Sequence, residues 1–348
     1  MDRVELVEKL NVAKTCISEN PVIAVLSYIS FRNNVIASFN GEQGSILKYD
    51  SGLDFAVKGK LITSLLDSFS EKDVNIRLAT VSNLIIVECG KAKNNMAVES
   101  NTKFPYPLND NPFVSLGMIT KDFISGLKKC IISVDKNSIK REYAGVTFIA
   151  KKDKEIVLYA SKHNTVITKY ITDMKSTVDC TMILPYFFCE LLVRNFEEDV
   201  TELMYNDKIV KMSVNSDDKI FYTLYDSHLK ILDFENEIAN LKIASIKTFD
   251  VSDDIKNILK RCLIILDTEK DKKIKVSLST DKMSINAISS LCNFDENVEL
   301  KGNVNNIDFT LNAGFMKETL DEADKFGIAD EAFIGTNDKY TTLVAINY

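Results

Sequence analysis

The sequence contains no tryptophan, and its 348 residues include only five prolines, twelve glycines and two histidines. The histidines, His163 and His228, have no Cys, Asp or Glu at the spacing of metal ligands, and a zinc site needs three or four ligands. We therefore expect no metal and no cofactor. The prolines and glycines form no linker-like stretch, so any domains should be closely docked.

Recognisable catalytic motifs are also missing. The sequence has no GxxxxGK[ST] or GxGxxG loop that would hold phosphates, and no GxSxG nucleophile elbow. The paired carboxylates Asp253–Asp254 and Glu197–Glu198 fall at predicted helix ends, where acidic residues are ordinary. We predict no enzymatic activity; a hydrolase whose site is not visible as a motif is an alternative.

Long apolar runs are absent as well. Residues Met1–Glu5 lack the apolar core of a signal peptide, and the longest apolar runs are too short to span a membrane. The seven cysteines are an odd number without any CxxC pair, which favours free thiols in a reducing compartment. We expect a cytoplasmic protein.

The chain has no excess of positive charge. Its 43 Lys and Arg residues against 50 Asp and Glu residues give a net charge of −7. A protein that binds nucleic acid is usually basic, so this total argues against DNA binding unless the basic residues gather on one surface.

One short motif, with a lysine two residues before a cysteine, occurs three times. The copies lie 114 and 132 residues apart and read Ala13-Lys14-Thr15-Cys16-Ile17, Leu127-Lys128-Lys129-Cys130-Ile131 and Leu259-Lys260-Arg261-Cys262-Leu263. That spacing is the size of a domain. Free cysteines are usually buried, so we predict that each cysteine packs inward and that the neighbouring lysine lies on the outer face of a helix.

The elements around the motif repeat in the same order. The apolar pattern predicts a helix, four strands, a second helix and three strands in each copy. In the first copy the strands are predicted at 22–31, 35–40, 45–49 and 54–57; in the last, Ser252 caps the first helix and the second helix runs over 313–326. The sequence thus predicts an α+β protein with three domains, at 1–111, 112–240 and 241–348.

Basic residues follow the outer faces of these helices. Charged outer faces are common on any helix, and the acidic residues Glu190 and Glu318 interrupt the basic faces here. The recurrence in three equivalent places nevertheless favours an anionic partner. The basic residues concerned are Lys14, Lys128, Lys129, Arg194, Lys256, Lys260, Arg261 and Lys317.

Three local matches accompany this order of elements: Asn20–Leu26, Tyr143–Ser161 and Ile183–Leu192. With them the whole chain resembles the bacterial DNA polymerase III beta subunit, the three-domain sliding clamp. It departs from that family at His163-Asn164-Thr165-Val166, where Gly-His-Arg-Leu is usual, and at its last residues, Val344–Tyr348. The departures suggest a divergent member, of phage, mobile-element or low-GC bacterial origin.

The resemblance implies a function and further sites. It implies a non-enzymatic processivity factor that closes into a ring as a head-to-tail homodimer, encircles double-stranded DNA without sequence preference, and works in the bacterial or host cytoplasm. Double-stranded DNA would contact the basic helix residues named above and the loop residues Asn20 and Arg141. A groove for peptides of the polymerase and the clamp loader would use Tyr143, Ser161, Val166, Val344 and Ile346. The dimer contact would pair an edge strand around Met96 with Ile265 and Leu266. A scaffold that never meets nucleic acid is the alternative.

Overall fold

The computed structural model describes residues 1–79, 83–105, 111–163, 165–240, 246–301, 306–329 and 331–347. The chain divides into two compact units. Unit 1 comprises Met1–Lys121 and Glu190–Ser227, and unit 2 comprises Asp122–Cys189 and His228–Tyr348. The second predicted domain contributes to both units, and the domain boundaries at 111 and 240 stay a prediction.

Seven α-helices lie in the described residues. They are α1 (Arg3–Lys14), α2 (Gly59–Asp67), α3 (Lys121–Ile132), α4 (Tyr186–Asn195), α5 (Phe234–Asn240), α6 (Asp253–Ile265) and α7 (Ala313–Glu322). Six of them are the first and second helices of the three predicted repeats, α1 and α2, α3 and α4, and α6 and α7. Helix α1 packs against α2, and α6 packs against α7.

The strands form three antiparallel sheets. Those of unit 1 are β1 (Tyr28–Phe39), β2 (Gln43–Lys58), β3 (Asn75–Leu78), β4 (Leu84–Cys89), β5 (Ala92–Glu99), β6 (Val114–Met118), β11 (Thr201–Tyr205), β12 (Ile209–Val214) and β13 (Lys219–Leu224). Those of unit 2 are β7 (Gly145–Ala150), β8 (Glu155–Lys162), β9 (Val166–Lys175), β10 (Cys180–Pro185), β14 (Thr248–Asp250), β15 (Lys273–Ser279), β16 (Lys282–Ile288), β17 (Asn293–Glu299), β18 (Ile307–Asn312), β19 (Lys325–Ala329), β20 (Ala332–Thr336) and β21 (Tyr340–Ala345).

The same strand pairing joins consecutive repeats within each unit. In unit 1, β2 of the first repeat pairs with β13, the last strand of the second repeat. In unit 2, β9 of the second repeat pairs with β21, the last strand of the third. The remaining four-stranded sheet has the order β17-β16-β15-β18, the counterpart of β9-β8-β7-β10. The α+β fold with repeated elements is therefore confirmed.

The first repeat differs from its predicted strands. Strand β1 runs through the predicted break between 31 and 35, and β2 runs through the one between 49 and 54. Both breaks are bends rather than strand ends, because the register shifts between Asn33 and Val35 and because Asn33 and Gly52 adopt positive φ. A bulge of this kind redirects a strand without ending its ladder.

The helices of the third repeat begin as the sequence predicts, but α7 ends early. Ser252 accepts a hydrogen bond from the backbone N–H of Ile255, as an N-cap should. Helix α7 stops at Glu322, four residues before the predicted end, since Ala323 is extended and β19 begins at Lys325. Phe326 is fully buried on that strand and packs against other aromatic rings, which outweighs the local helical pattern.

Candidate DNA-contact surface and partner groove

The three motif cysteines lie in the interior. Cys16, Cys130 and Cys262 are each fully buried, as predicted for packing residues. Burial raises the pKa of the Cys16 and Cys262 thiols to about 11 and raises the pKa of Cys130 further. These groups are therefore neutral near pH 7 and act as small apolar side chains.

The lysine two residues before each cysteine lies nearer to solvent. Lys128 on α3 and Lys260 on α6 are exposed, and neither forms an ion pair within the described parts of the chain. Lys14, at the end of α1, is half-buried and donates a hydrogen bond to the side-chain oxygen of Asn11, 3.1 Å away. The motif therefore presents two free ammonium groups and one that is partly engaged.

Most of the other candidate cations already have partners. Lys129 pairs with Glu322, Lys317 with Asp321, Arg194 with Glu190 and Arg261 with Glu296. Lys256 donates to the backbone oxygen of Asp321, 3.1 Å away. A cation that is neutralised by a neighbouring carboxylate attracts a phosphate only weakly. The two free lysines are thus better candidates for DNA contact than their neighbours.

Two loops carry the remaining DNA candidates. Asn20 and Arg141 are exposed, and each lies near an aliphatic side chain that is almost completely exposed, Val22 and Ile139 respectively. Lys136 and Lys140 are also exposed on the second loop, so Arg141 stands in a locally basic segment. Lys136 and Lys140 lie outside any helical pattern, so the sequence does not single them out beside Arg141.

The predicted groove residues lie together in unit 2. Val166 and Val344 face each other across the β9–β21 ladder. Ser161, near the end of β8, donates to the backbone oxygen of His163 over 2.5 Å, and the ring of His163 lies 4.5 Å from that of Tyr143. Ile346 follows β21 and donates its N–H to Glu331. Residues distant in sequence thus lie close together, and their role as a groove stays a prediction.

Three of the five predicted groove residues are core side chains. Val166, Val344 and Ile346 belong to the hydrophobic core of unit 2 and are at most 4% exposed. The accessible groups are Tyr143 and His163, and the imidazole Nε2 of His163 lies 2.9 Å from a carboxylate oxygen of Asp135. Sequence reasoning treated His163 only as a departure from the family pattern, and the approach of Asp135 gave no sequence signal.

The residues of the predicted dimer contact lie on a strand edge and at a helix end. Met96 lies on β5, which pairs with β4 over residues 92–97 and with β2 only at Val98 and Glu99, so most of one strand edge has no partner among the described strands. Ile265 and Leu266 lie at the end of α6, and Leu266 is 1% exposed. Strand β17 is one edge of the four-stranded sheet of the third repeat, and β18 is the other. The dimer contact itself stays a prediction.

Solved structures share this fold over the whole chain. A putative DNA polymerase III beta subunit from Eubacterium rectale matches with a TM-score of 0.85 and 13% identity, covering 99% of this chain and 98% of its own. The chain has the fold of bacterial sliding clamps. The Streptococcus pneumoniae DNA polymerase III beta chain gives a TM-score of 0.83 at 14% identity, covering 100% and 98%. The Helicobacter pylori beta clamp bound to a DNA ligase peptide gives 0.81 at 14%, covering 100% and 99%.

At the sequence level, neither a protein-family model nor a curated protein matches the chain. The clamp fold is therefore evident in the arrangement of elements, whereas most side chains differ. In the part of the chain that the structure describes, no group of three or more His, Cys, Asp or Glu residues could hold a metal ion. None of the described helices is long and apolar enough to cross a membrane.

Proposed function

We propose that this chain is a DNA sliding clamp, a non-enzymatic processivity factor that encircles duplex DNA and tethers a polymerase. The observation that carries the proposal is the threefold order of elements in a full-length clamp fold. Equivalent strand pairings, β2–β13 and β9–β21, join the repeats twice, and the strands for a third such pairing are present but not paired with each other. A scaffold would need neither the repetition nor complementary open edges.

The open edges support a head-to-tail ring. Strands β9 and β17 occupy equivalent places in the second and third repeats, and β5, β13 and β21 each end a repeat. Since β2 pairs with β13 and β9 with β21, β17 and most of β5 are the counterparts that have no such partner among the described strands. Unpaired edges seek a partner strand, so β17 of one copy would pair with β5 of a second copy at two identical contacts.

The helix pairs would line the opening. Two copies with six paired helices each, every helix about 10 Å across, leave an opening of roughly 25–30 Å, wide enough for duplex DNA and a layer of water. Lys128 and Lys260 would supply the main phosphate contacts, with Lys14, Arg141 and Asn20 beside them. Few, water-mediated contacts allow sliding because none must be broken at large cost.

The groove on unit 2 would bind partner peptides. The clamp of Helicobacter pylori binds a DNA ligase peptide, and we infer that this chain binds segments of its polymerase and loader. Tyr143 and His163 would form the accessible rim above the buried Ser161, Val166, Val344 and Ile346. Such a shallow, aromatic rim suits a short peptide that anchors through aromatic or aliphatic side chains.

Primer extension on a primed single-stranded circle tests this function. With the polymerase and loader of the same source, the wild-type protein should lengthen the products made in one binding event. The double reversal K128E/K260E should lower loading several-fold because it places carboxylates next to phosphates. The control K152E/K154E makes the same change at two exposed lysines of the β7–β8 turn and should load normally. No lengthening by the wild-type protein would refute the proposal.

A further inference from the structure

A charged residue precedes the last strand of every repeat. Lys91 comes directly before β5, Asp218 before β13 and Lys339 before β21. Consecutive repeats meet at two internal seams, the β2–β13 pairing of unit 1 and the β9–β21 pairing of unit 2. At each seam the preceding repeat donates a backbone N–H to the carbonyl of this residue, from Lys48 to Asp218 and from Ile171 to Lys339, each over 2.9 Å. The residue therefore marks the point where one repeat's hairpin meets the repeat before it.

In unit 2 this residue is held by a carboxylate on a helix. The ammonium group of Lys339 lies 2.9 Å from Asp122 near the start of α3. Asp122 also accepts from the hydroxyl of Tyr170 at 3.0 Å and from the backbone N–H of Asp173 at 2.8 Å. The hydrogen bond with Asp122 raises the pKa of Lys339. The Asp122 carboxylate thus joins α3, β9 and the hairpin before β21.

In unit 1 the hairpin residue has the opposite charge. Asp218 pairs with Lys48 of β2, with 3.2 Å between the ammonium nitrogen and the carboxylate oxygen. The two internal seams therefore use reversed polarities, one with a basic hairpin and one with an acidic hairpin. Each hairpin would meet a like charge if it were placed on the other seam, which disfavours wrong pairing.

The repeated motif also identifies the residue of the third repeat that is equivalent to Asp122. Asp122 lies six residues before Lys128, and Asp254 lies six residues before Lys260. Asp254 is exposed, and no ion pair engages it among the described residues. It lines a cleft of about 740 Å³ between α6 and β17. Asp281, Glu296 and Glu299 also line this cleft, together with the cations Arg261 and Lys301, so acidic side chains are in excess there. This acidic cleft lies beside the open edge of β17.

A basic hairpin is available on unit 1. Lys91 occupies the turn before β5, is exposed, and forms no ion pair in the described part of the chain. Lys93 follows it on the open strand and pairs with Glu88 at 3.2 Å. The charges of the turn and of the cleft are complementary. They match the polarity of the Lys339–Asp122 seam.

We propose that Lys91 of one copy binds Asp254 of a second copy, and that this pair closes each of two identical seams as Lys339 and Asp122 close the internal one. The inference rests on the proposed ring and specifies the charged pair at each of its two contacts. The occupant of the cleft is a second copy of this chain, because the internal seam of unit 2 joins a hairpin lysine to the equivalent helix carboxylate.

Charge-reversed variants mixed in pairs test this pairing by sedimentation. K91E alone would oppose two carboxylates at both seams, and D254K alone would oppose two ammonium groups. Each should raise the dimer dissociation constant by about tenfold or more, since like charges are opposed twice per ring. An equimolar mixture should recover near wild-type affinity, because each heterodimer contains one seam with both charges exchanged and one seam with the original Lys91–Asp254 pair.

A control reversal and the wild type separate the possible failures. K208E changes an exposed lysine of the β11–β12 turn in the same unit and should dimerise normally. If the wild-type protein dimerises but K91E and D254K match it, or if the mixture fails to recover affinity, the pairing is refuted and the ring stands. A wild-type protein that stays monomeric at all concentrations would instead refute the ring.

Discussion

At the scale of residues, a shared position does not give a shared role. The three motif cysteines are all core side chains, but the cations beside them differ in their surroundings. Lys128 and Lys260 face solvent without ion-pair partners among the described residues, whereas Lys129 and Arg261, one position later, are held by Glu322 and Glu296. Helical spacing predicts which side chains point outward; it does not reveal carboxylates brought in by distant segments.

The thiols give a test at this scale. Burial raises the pKa of Cys16, Cys130 and Cys262, so little thiolate forms there at pH 8, whereas Cys292 is exposed. We expect a thiol reagent to label Cys292 fastest in the folded protein and the three motif cysteines only on unfolding. Mass spectrometry of labelled peptides measures this, and C292S should remove the fast phase. Rapid labelling of Cys262 in the folded protein would contradict the burial of the motif.

At the scale of elements, periodicity and caps predict most of the fold. The helix pairs and the order of strands follow from apolar spacing, and Ser252 caps α6 as expected. The sequence did not predict the bends in β1 and β2, where Asn33 and Gly52 turn a strand without ending it. It also did not predict α5, whose Phe234 stacks on Tyr159 of β8, 5.3 Å between ring centres, because that contact joins distant segments.

The cap of α7 gives a test of element stability. The side-chain oxygen of Asn312 accepts from the backbone N–H groups of Gly314 and Phe315, at 2.8 and 3.2 Å. N312A should lower the free energy of unfolding by about 1 kcal/mol, the usual loss when a polar N-cap is replaced by alanine. N312D keeps the acceptor but loses the hydrogen bond that the Asn312 amide donates to the backbone oxygen of Asp271, 2.6 Å away, so its loss should lie between zero and that of N312A. Denaturant unfolding followed by circular dichroism measures both, and equal losses would show that the cap contributes nothing specific.

At the scale of the whole molecule, the net charge of −7 is compatible with DNA binding because charge acts locally. Free lysines recur on equivalent helices, and many other cations are neutralised by nearby acids. The sequence supports the family resemblance through the order of elements. The contacts between repeats, however, depend on which strand edges have no partner. The sequence does not show this, because it does not say which strands of distant repeats pair with each other.

If two copies enclose DNA, the topology of the DNA decides whether the protein stays bound. The protein is loaded onto nicked circular DNA by its loader and washed with high salt to remove electrostatic contacts, and the DNA is then cut once. The protein should stay on the intact circle through the wash and leave as soon as the circle is linearised. Loss from the intact circle in high salt, or equal retention on circular and linear DNA, would show that no ring encloses the DNA.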